Sequence, residues 1–221
     1  MRIAVVIPTL DEAETVEAAI ASARSADEIV VVDGGSLDRT ADRARAVGAQ
    51  LITSPRGRAR QLDAGWRATG AEVVLFLHAD TRLPLGWAEA VRAALSEPDV
   101  AGGAFRLRFD ERSLALRIIE FGAHRRAAWA GLPYGDQAIF ARRTVLEAIG
   151  GIAQVPIAED LDLARDLRGH GRLALLPLAI STSARRYQQH GALPTWARHT
   201  IALAAWRLGV DRARIARWVR G

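Results

Sequence analysis

Acidic residues in this chain recur where chemistry can use them. Asp11-Glu12 follows the apolar run IAVVIP (3–8), Asp33 closes EIVVVD (28–33), and His78-Ala79-Asp80 ends VVLFL (73–77). Short continuous apolar runs of this kind mark strands buried on both faces of a parallel sheet. In such a sheet ligands bind beyond the carboxyl ends of the strands, where neighbouring connections diverge. A single aspartate there serves as a turn former or helix cap. Three acidic ends on one sheet edge point to a site. A further pair, Glu159-Asp160, opens the segment EDLDLARDLRGHG (159–171). Acids in a first helical turn also complement the helix dipole. Asp162 and Asp166, with Arg165 and Arg168 as helical partners, fit that plainer role.

Other chemistries are excluded or weakened by what is missing. The turn after the first run reads PTLDEAET (8–15), without the glycines of a dinucleotide fingerprint, and there is no Walker A sequence. A sugar nucleotidyltransferase, expected to carry a glycine-rich loop there, weakens with them. No cysteine is present among the 221 residues, so disulfides and thiolate metal sites are excluded. All 30 cationic side chains are arginine, the net charge is +5 and the sequence pI is about 10.9. Arginine offers planar forks suited to phosphates and carboxylates. A basic chain suits an anionic ligand, nucleic acid or a membrane surface, and composition does not choose among them.

The elements that must position these residues follow from periodicity. Strands are expected at 3–8, 28–33, 50–53 and 72–77, alternating with helices at 11–25, 38–47 and 59–68. That alternation predicts βαβ units, hence an α/β fold with a mostly parallel, Rossmann-like sheet flanked by helices. The later half reads less regularly. It gives a strand at 101–109, a helix at 112–126, a loop at 128–136, a strand at 139–140, a helix that follows it and stops at Gly150-Gly151, a helix at 159–171, a strand at 173–177 and two terminal helices from Pro194. No repeat or linker divides the chain, so one domain over 1–221 is expected. MRIAVVIPT lacks the features of a secretory signal, and no apolar stretch approaches the roughly 20 residues that span a bilayer. A soluble cytoplasmic protein is the expectation.

Six blocks in order, VVIPTLDEAETV, EIVVVDGGSLDRT, RGRARQLDAG, VLFLHADTRLP, IFARRTVLEAIGG and AEDLDLARDLRGHG, resemble the inverting nucleotide-sugar glycosyltransferases of the GT-A fold, family 2. The resemblance covers residues 3 to about 190. It is closest to a small bacterial branch associated with radical-SAM and selenium-related gene neighbourhoods and with arsenosugar biosynthesis. It implies a nucleotide-sugar-binding half (1–110), an acceptor and catalytic half (111–193) and C-terminal helices (194–221).

The resemblance also implies roles. Pro8, Thr9, Leu10 and Glu12 would wall the nucleotide pocket, and Asp33 would hydrogen-bond the base or ribose. The family commonly has two acids there, whereas this chain has Asp33-Gly34. Arg58, Arg60 and Gln61, with Arg56 beside them, fall where the donor diphosphate would bind a helix start and arginine forks. His78-Ala79-Asp80 occupies the D-x-D position, which makes Asp80 the ligand for Mn²⁺ or Mg²⁺ and His78 a donor contact. Asp160 would be the general base, supported by Glu159. Asp136, Gln137, Arg185 and Arg186 fall on the acceptor side. The donor would be a UDP-sugar before a GDP-sugar, and the acceptor a small or lipid-linked molecule.

Trp196, Trp206 and Trp218 lie among arginines in the tail. Such a tail suits peripheral contact with the inner membrane surface, or packing on the domain or on a second subunit of a homodimer. Two rivals remain open at this point. One is a nucleotide-binding module without turnover, favoured by Gly34 and His78 standing where acids are expected. The other is a basic nucleic-acid-binding protein, although no recognition element is readable.

Overall fold

A computed structural model describes residues 1–220. Among the described residues there are eight strands: β1 (Ile3–Thr9), β2 (Glu28–Asp33), β3 (Gln50–Thr53), β4 (Val73–Phe76), β5 (Thr81–Arg82), β6 (Val100–Phe109), β7 (Phe140–Arg142) and β8 (Arg172–Thr182). The helices are α1 (Val16–Ser22), α2 (Thr40–Ala46), α3 (Arg58–Arg67), α4 (Trp87–Ala94), α5 (Leu114–Ala130), α6 (Arg143–Ala148), α7 (Glu159–Arg168), α8 (Arg185–His190), α9 (Ala192–Arg207) and α10 (Arg212–Arg220). One sheet runs β3-β2-β1-β4-β7-β6-β8-β5. The first four strands pair in parallel. β7 is antiparallel to both β4 and β6, β6 runs parallel to β8, and β5 is an antiparallel edge.

The continuous apolar runs are explained by burial on both faces. Side chains alternate across a strand, so Ile3, Val5 and Ile7 of β1 pack with Val16, Ile20, Trp87 and Val91, while Val6 packs with Leu62, Trp66 and Leu167 on the other side. β4 divides the same way: Val73 and Leu75 face the first cluster, Val74 and Phe76 the second. The sheet therefore holds the ends of β1, β2 and β4 at one edge with little freedom.

Several expectations need correction. The helix expected from residue 11 begins at Val16, because Asp11 takes a left-handed φ of 55° and Glu12 O accepts from Thr15 N and Val16 N in a turn. α5 starts after the Ser113 cap and runs on to Gly131, consuming much of the expected loop. The strand expected to end at Pro177 continues to Thr182. Proline is tolerated because the β6–β8 register shifts there, and a bulge needs no ladder N–H. β5 and α8 carry too few residues to show a period and were not foreseen.

Candidate active site

The β1–α1 connection is fastened to the β2–α2 connection. Asp11 N donates to Ser36 Oγ at 2.9 Å, Leu37 N donates to Asp11 Oδ1 at 2.7 Å, and Glu12 N donates to Thr40 Oγ1 at 2.8 Å. Pro8 and Leu10 are half-buried beside this junction and Thr9 is buried. Asp33 is buried and serves its own turn. Its Oδ2 accepts from Gly35 N at 3.1 Å and Ser36 N at 3.0 Å, and its Oδ1 from Thr9 Oγ1 at 3.3 Å and from Ser36 Oγ.

Gln61 and Arg58 were expected at a diphosphate, and the structure gives both an internal partner. Gln61 is buried under the strand ends, where its Nε2 donates to Thr9 O at 2.7 Å and Val32 O at 2.9 Å. A Cβ on Gly34 would lie 3.0 Å from Gln61 Cδ, so this amide fills the room a side chain at 34 would need. Arg58 reaches from α3 to the start of α7 and ion-pairs through Nε with Glu159 Oε1. Glu159, then Asp160 and Asp136, hold the guanidinium above its usual range against the opposing effect of burial. Arg56 and Arg60 are exposed.

Asp160 is placed by two backbone donors: Gly135 N to Oδ2 at 2.7 Å and Leu161 N to Oδ1 at 2.9 Å. Burial first, and the charge of Glu159 second, raise its pKa above the ordinary carboxylate value. Gly135 stands between two reactive side chains. A Cβ there would lie 2.9 Å from His78 Nε2 and 3.4 Å from Asp160 Oδ2. The end of β4 and the start of α7 thus face each other across a bare Cα. Burial, helped by Arg58 and Arg186, holds the His78 pKa down to about 3, so the ring is neutral.

Ala79 is buried, and Asp80 is half-buried, its Oδ1 accepting from Thr81 Oγ1 at 3.3 Å. Burial chiefly, with the charge of Asp80 added, raises the pKa of Glu12. Glu12 Oε2 accepts from Thr15 Oγ1 at 3.0 Å and from Arg185 Nη2 at 3.3 Å, which puts Arg185 on the β1 side rather than with an acceptor. Arg186 is exposed on α8.

The 3₁₀ turn Gly135–Gln137 supplies a further acid. Asp136 Oδ1 is buried without a hydrogen-bond partner. Burial, with Asp160 and Asp80, pushes its pKa up to about 6 against the opposing Arg126 and Arg58. Gln137, expected to meet acceptor hydroxyls, is fully buried and ties the turn down. Its Oε1 accepts from Tyr134 N and Arg126 Nη2, both at 3.2 Å, and its Nε2 donates to Phe105 O at 3.0 Å.

Sequence reasoning missed a pocket of about 220 Å³ beside Asp136, walled by Arg126, Tyr134, Tyr187, Trp196 and His199. Burial and Arg186 lower the His199 pKa to about 4. The walls come from α5, α8, α9 and the segment leading into the 3₁₀ turn, and no local pattern links them. Backbone conformation is unusual at the site too. Among the described residues, the non-glycines with positive φ are Asp11, Ala138 and Ala158, adjoining Glu12, Gln137 and Glu159. Left-handed conformations outside glycine persist where the surroundings over-determine them, as functional sites do.

Among the described residues no three His, Cys, Asp or Glu side chains are grouped as a protein-built metal cage would require. Asp80 does offer a half-buried hard oxygen at the strand end. A divalent ion held by one carboxylate, with substrate phosphates and water completing the shell, fits that donor set.

No curated protein gives a significant sequence match. Among solved structures, a mycobacterial protein is similar over 96% of this chain and 76% of its own, at 23% identity and TM-score 0.68. Glucosyl-3-phosphoglycerate synthase from Mycobacterium tuberculosis, in complex with Mn²⁺, UDP and glucosyl-3-phosphoglycerate, is similar over 95% of this chain and 81% of its own, at 22% identity and TM-score 0.69. The same synthase with Mg²⁺ and UDP gives 95%, 80%, 22% and 0.67 in the same order. These likenesses establish the fold as GT-A: a mostly parallel sheet flanked by helices, with a helical C-terminal part. Residues 4–153, more than half of the chain, match the sequence profile of Glycosyl transferase family 2, and the chain belongs to that family.

Proposed function

We propose that the protein is an inverting glycosyltransferase that moves a sugar from a nucleotide diphosphate sugar, UDP-linked before GDP-linked, to an acceptor hydroxyl. The observation that carries the reading is the meeting of Asp160, its pKa raised, with His78 of the β4 end across Gly135, next to Asp136, on which the charges of both Asp160 and Asp80 act. Family membership and neighbours whose structures hold UDP with Mn²⁺ or Mg²⁺ support the donor class. The resemblance to the radical-SAM and arsenosugar-associated branch belongs to this proposal as well.

The acceptor oxygen bonds to the anomeric carbon as the carbon–oxygen bond to the diphosphate breaks on the opposite face. Asp160 takes the acceptor proton. Its two backbone hydrogen bonds fix its direction and leave a lone pair on each oxygen. Glu159 is paired with Arg58, and its charge, after burial, raises the pKa of Asp160 and so keeps that carboxylate basic. Pro8, Thr9, Leu10, Glu12 and Asp33 border the nucleotide, Arg60 and Arg185 meet its phosphates, and neutral His78 contacts the donor. Asp80 would hold Mn²⁺ or Mg²⁺, which supplies charge neutralisation to the leaving diphosphate when bound.

A thermal-shift screen of nucleotides and nucleotide sugars, with and without Mn²⁺, followed by donor hydrolysis and transfer assays, tests the class. Asp80→Ala and Asp160→Asn should each abolish turnover. Only Asp80→Ala should also weaken metal-dependent UDP binding. Near-normal turnover by Asp160→Asn would sink the assignment of the base, and UDP binding without turnover in the wild type would favour the silent module.

A further inference from the structure

Two helices carry outward apolar faces that no other described residue covers. On α5, Leu114, Ile118, Phe121 and Trp129 are 76%, 60%, 60% and 76% exposed. Steps of four, three and eight residues put them on one side of a helix. Arg117 and Arg125 share that side and are exposed, and the Arg125 guanidinium stacks 3.7 Å from the Trp129 ring centre and 5.4 Å from that of Phe121. On α9, Leu193, Trp196 and Ile201 are 73%, 45% and 52% exposed, and Leu208 just beyond it is 81% exposed. Scattered surface leucines need no explanation, but contiguous apolar faces do.

Acids are few on both faces. The one acid of α5, Glu120, is half-buried and accepts from Phe109 N at 2.7 Å; with Glu111, just before the helix, it borders the hollow beside Leu114 and Arg117. α9 has none, and from Arg185 to Arg220 Asp211 is the one acid among eight arginines. The two helices pack together, and the pocket that ends on Asp136 lies between them. Gly122, Trp196 and Thr200 are exposed and line it, so its mouth opens between the two outward faces.

We propose that α5 and α9 dock the protein on an anionic membrane surface, and that the pocket between them admits the polar head of an amphiphilic acceptor. The second half rests on the glycosyl-transfer reading; the docking face does not. Charge decides the occupant. A two-fold contact between copies would press Arg117 and Arg125 against the same surface, where arginines outnumber acids. Lipid phosphates supply the missing anions, and Trp, Phe and Leu beside arginine suit the headgroup boundary. The tail itself is not a free anchor. Trp206 Nε1 and Arg212 Nη2 donate to buried Asp162 Oδ1 at 3.0 and 2.7 Å, clamping the terminal helices to α7.

The test uses the full chain and cosedimentation with vesicles of phosphatidylcholine alone or mixed equally with phosphatidylglycerol. The wild type should bind the mixed vesicles. Phe121→Glu with Ile201→Glu should cut that partition at least tenfold while thermal unfolding and Mn²⁺-dependent UDP binding stay unchanged. Absence of wild-type binding, or equal binding by the double variant, overturns the docking face. So does a wild-type dimer that the double variant converts to monomer without any vesicle binding. For the pocket, octyl glucoside below its micellar concentration is titrated against tryptophan fluorescence. Gly122→Trp, whose added Cβ meets open space, should weaken that binding at least tenfold. Undiminished binding, or none by the wild type, overturns the pocket assignment while vesicle and UDP binding report on the rest.

Discussion

Glu159 and Asp160 are adjacent acids in different surroundings. Glu159 is buried against Arg58, while Asp160 has its pKa raised by burial and by its neighbour's charge. A base must be ionised to accept a proton, so turnover is lost as pH falls through the raised Asp160 value. Glu159→Gln removes the repulsion and lets that pKa fall. The acid limb of the kcat/KM profile should therefore move to lower pH. The variant should also lose about 2 kcal/mol of stability, because Arg58 loses its partner. An unmoved acid limb would break the link between the two acids. These acids were legible because strand and helix ends announce themselves. The internal work of Gln61 and Gln137 was not legible, because no local pattern says which carbonyl an amide will find across the fold.

The 3₁₀ turn Gly135–Gln137 and the first turn of α7 act as a pair of jaws. Gly135→Ala would force a methyl group within 2.9 Å of His78 Nε2, a separation real Cβ atoms essentially never show. Turnover should fall by about tenfold or more, with Mn²⁺-dependent UDP affinity unchanged. Loss of both together would mean that the turn supports the nucleotide pocket instead. Among elements, β1, β2 and β4 were readable because strands buried on both faces must be continuously apolar. β7 was read at 139–140 and runs Phe140–Arg142, whereas β5 escaped because two residues hold no period. β8 was cut short at Pro177, where the bulge overrides the rule that proline ends a strand.

Across the whole molecule, one buried carboxyl is among the groups that link stability to pH. Asp136 faces Arg126 of α5, Arg58 of α3, Asp160 of α7 and Asp80 beyond β4, and its folded pKa is raised to about 6. Below its unfolded value, near 4, it is protonated in both states and costs nothing. As pH rises toward 6 the unfolded chain ionises first, so the folded state loses ground, and above 6 the deficit is constant. Asp136→Asn should be as stable as wild type at pH 4 and more stable at pH 8 by about 1–2 kcal/mol, or several degrees in thermal unfolding. A difference independent of pH would contradict the burial account. The tail shows the limit of reading at this scale. Asp162 looked like an ordinary first-turn acid, yet it clamps Trp206 and Arg212 from far along the chain.

Gly34 and Gln61 also bear on the order in which this sequence could have changed. An aspartate at 34, which the family resemblance would put there, requires the Gln61 amide, 3.0 Å from its Cβ, to give way. Gln61 cannot leave cheaply, since it closes the carbonyls of Thr9 and Val32. Each single step goes downhill in stability, and the second is easier once the first has been taken. Gly34→Asp should therefore cost less in a Gln61→Ala background than in wild type, with a coupling of about 1 kcal/mol in a double-mutant cycle of unfolding free energies. Strict additivity would remove the epistasis. If the coupling holds, the single acid of this β2 end is a local trap in sequence space, not a position free to drift.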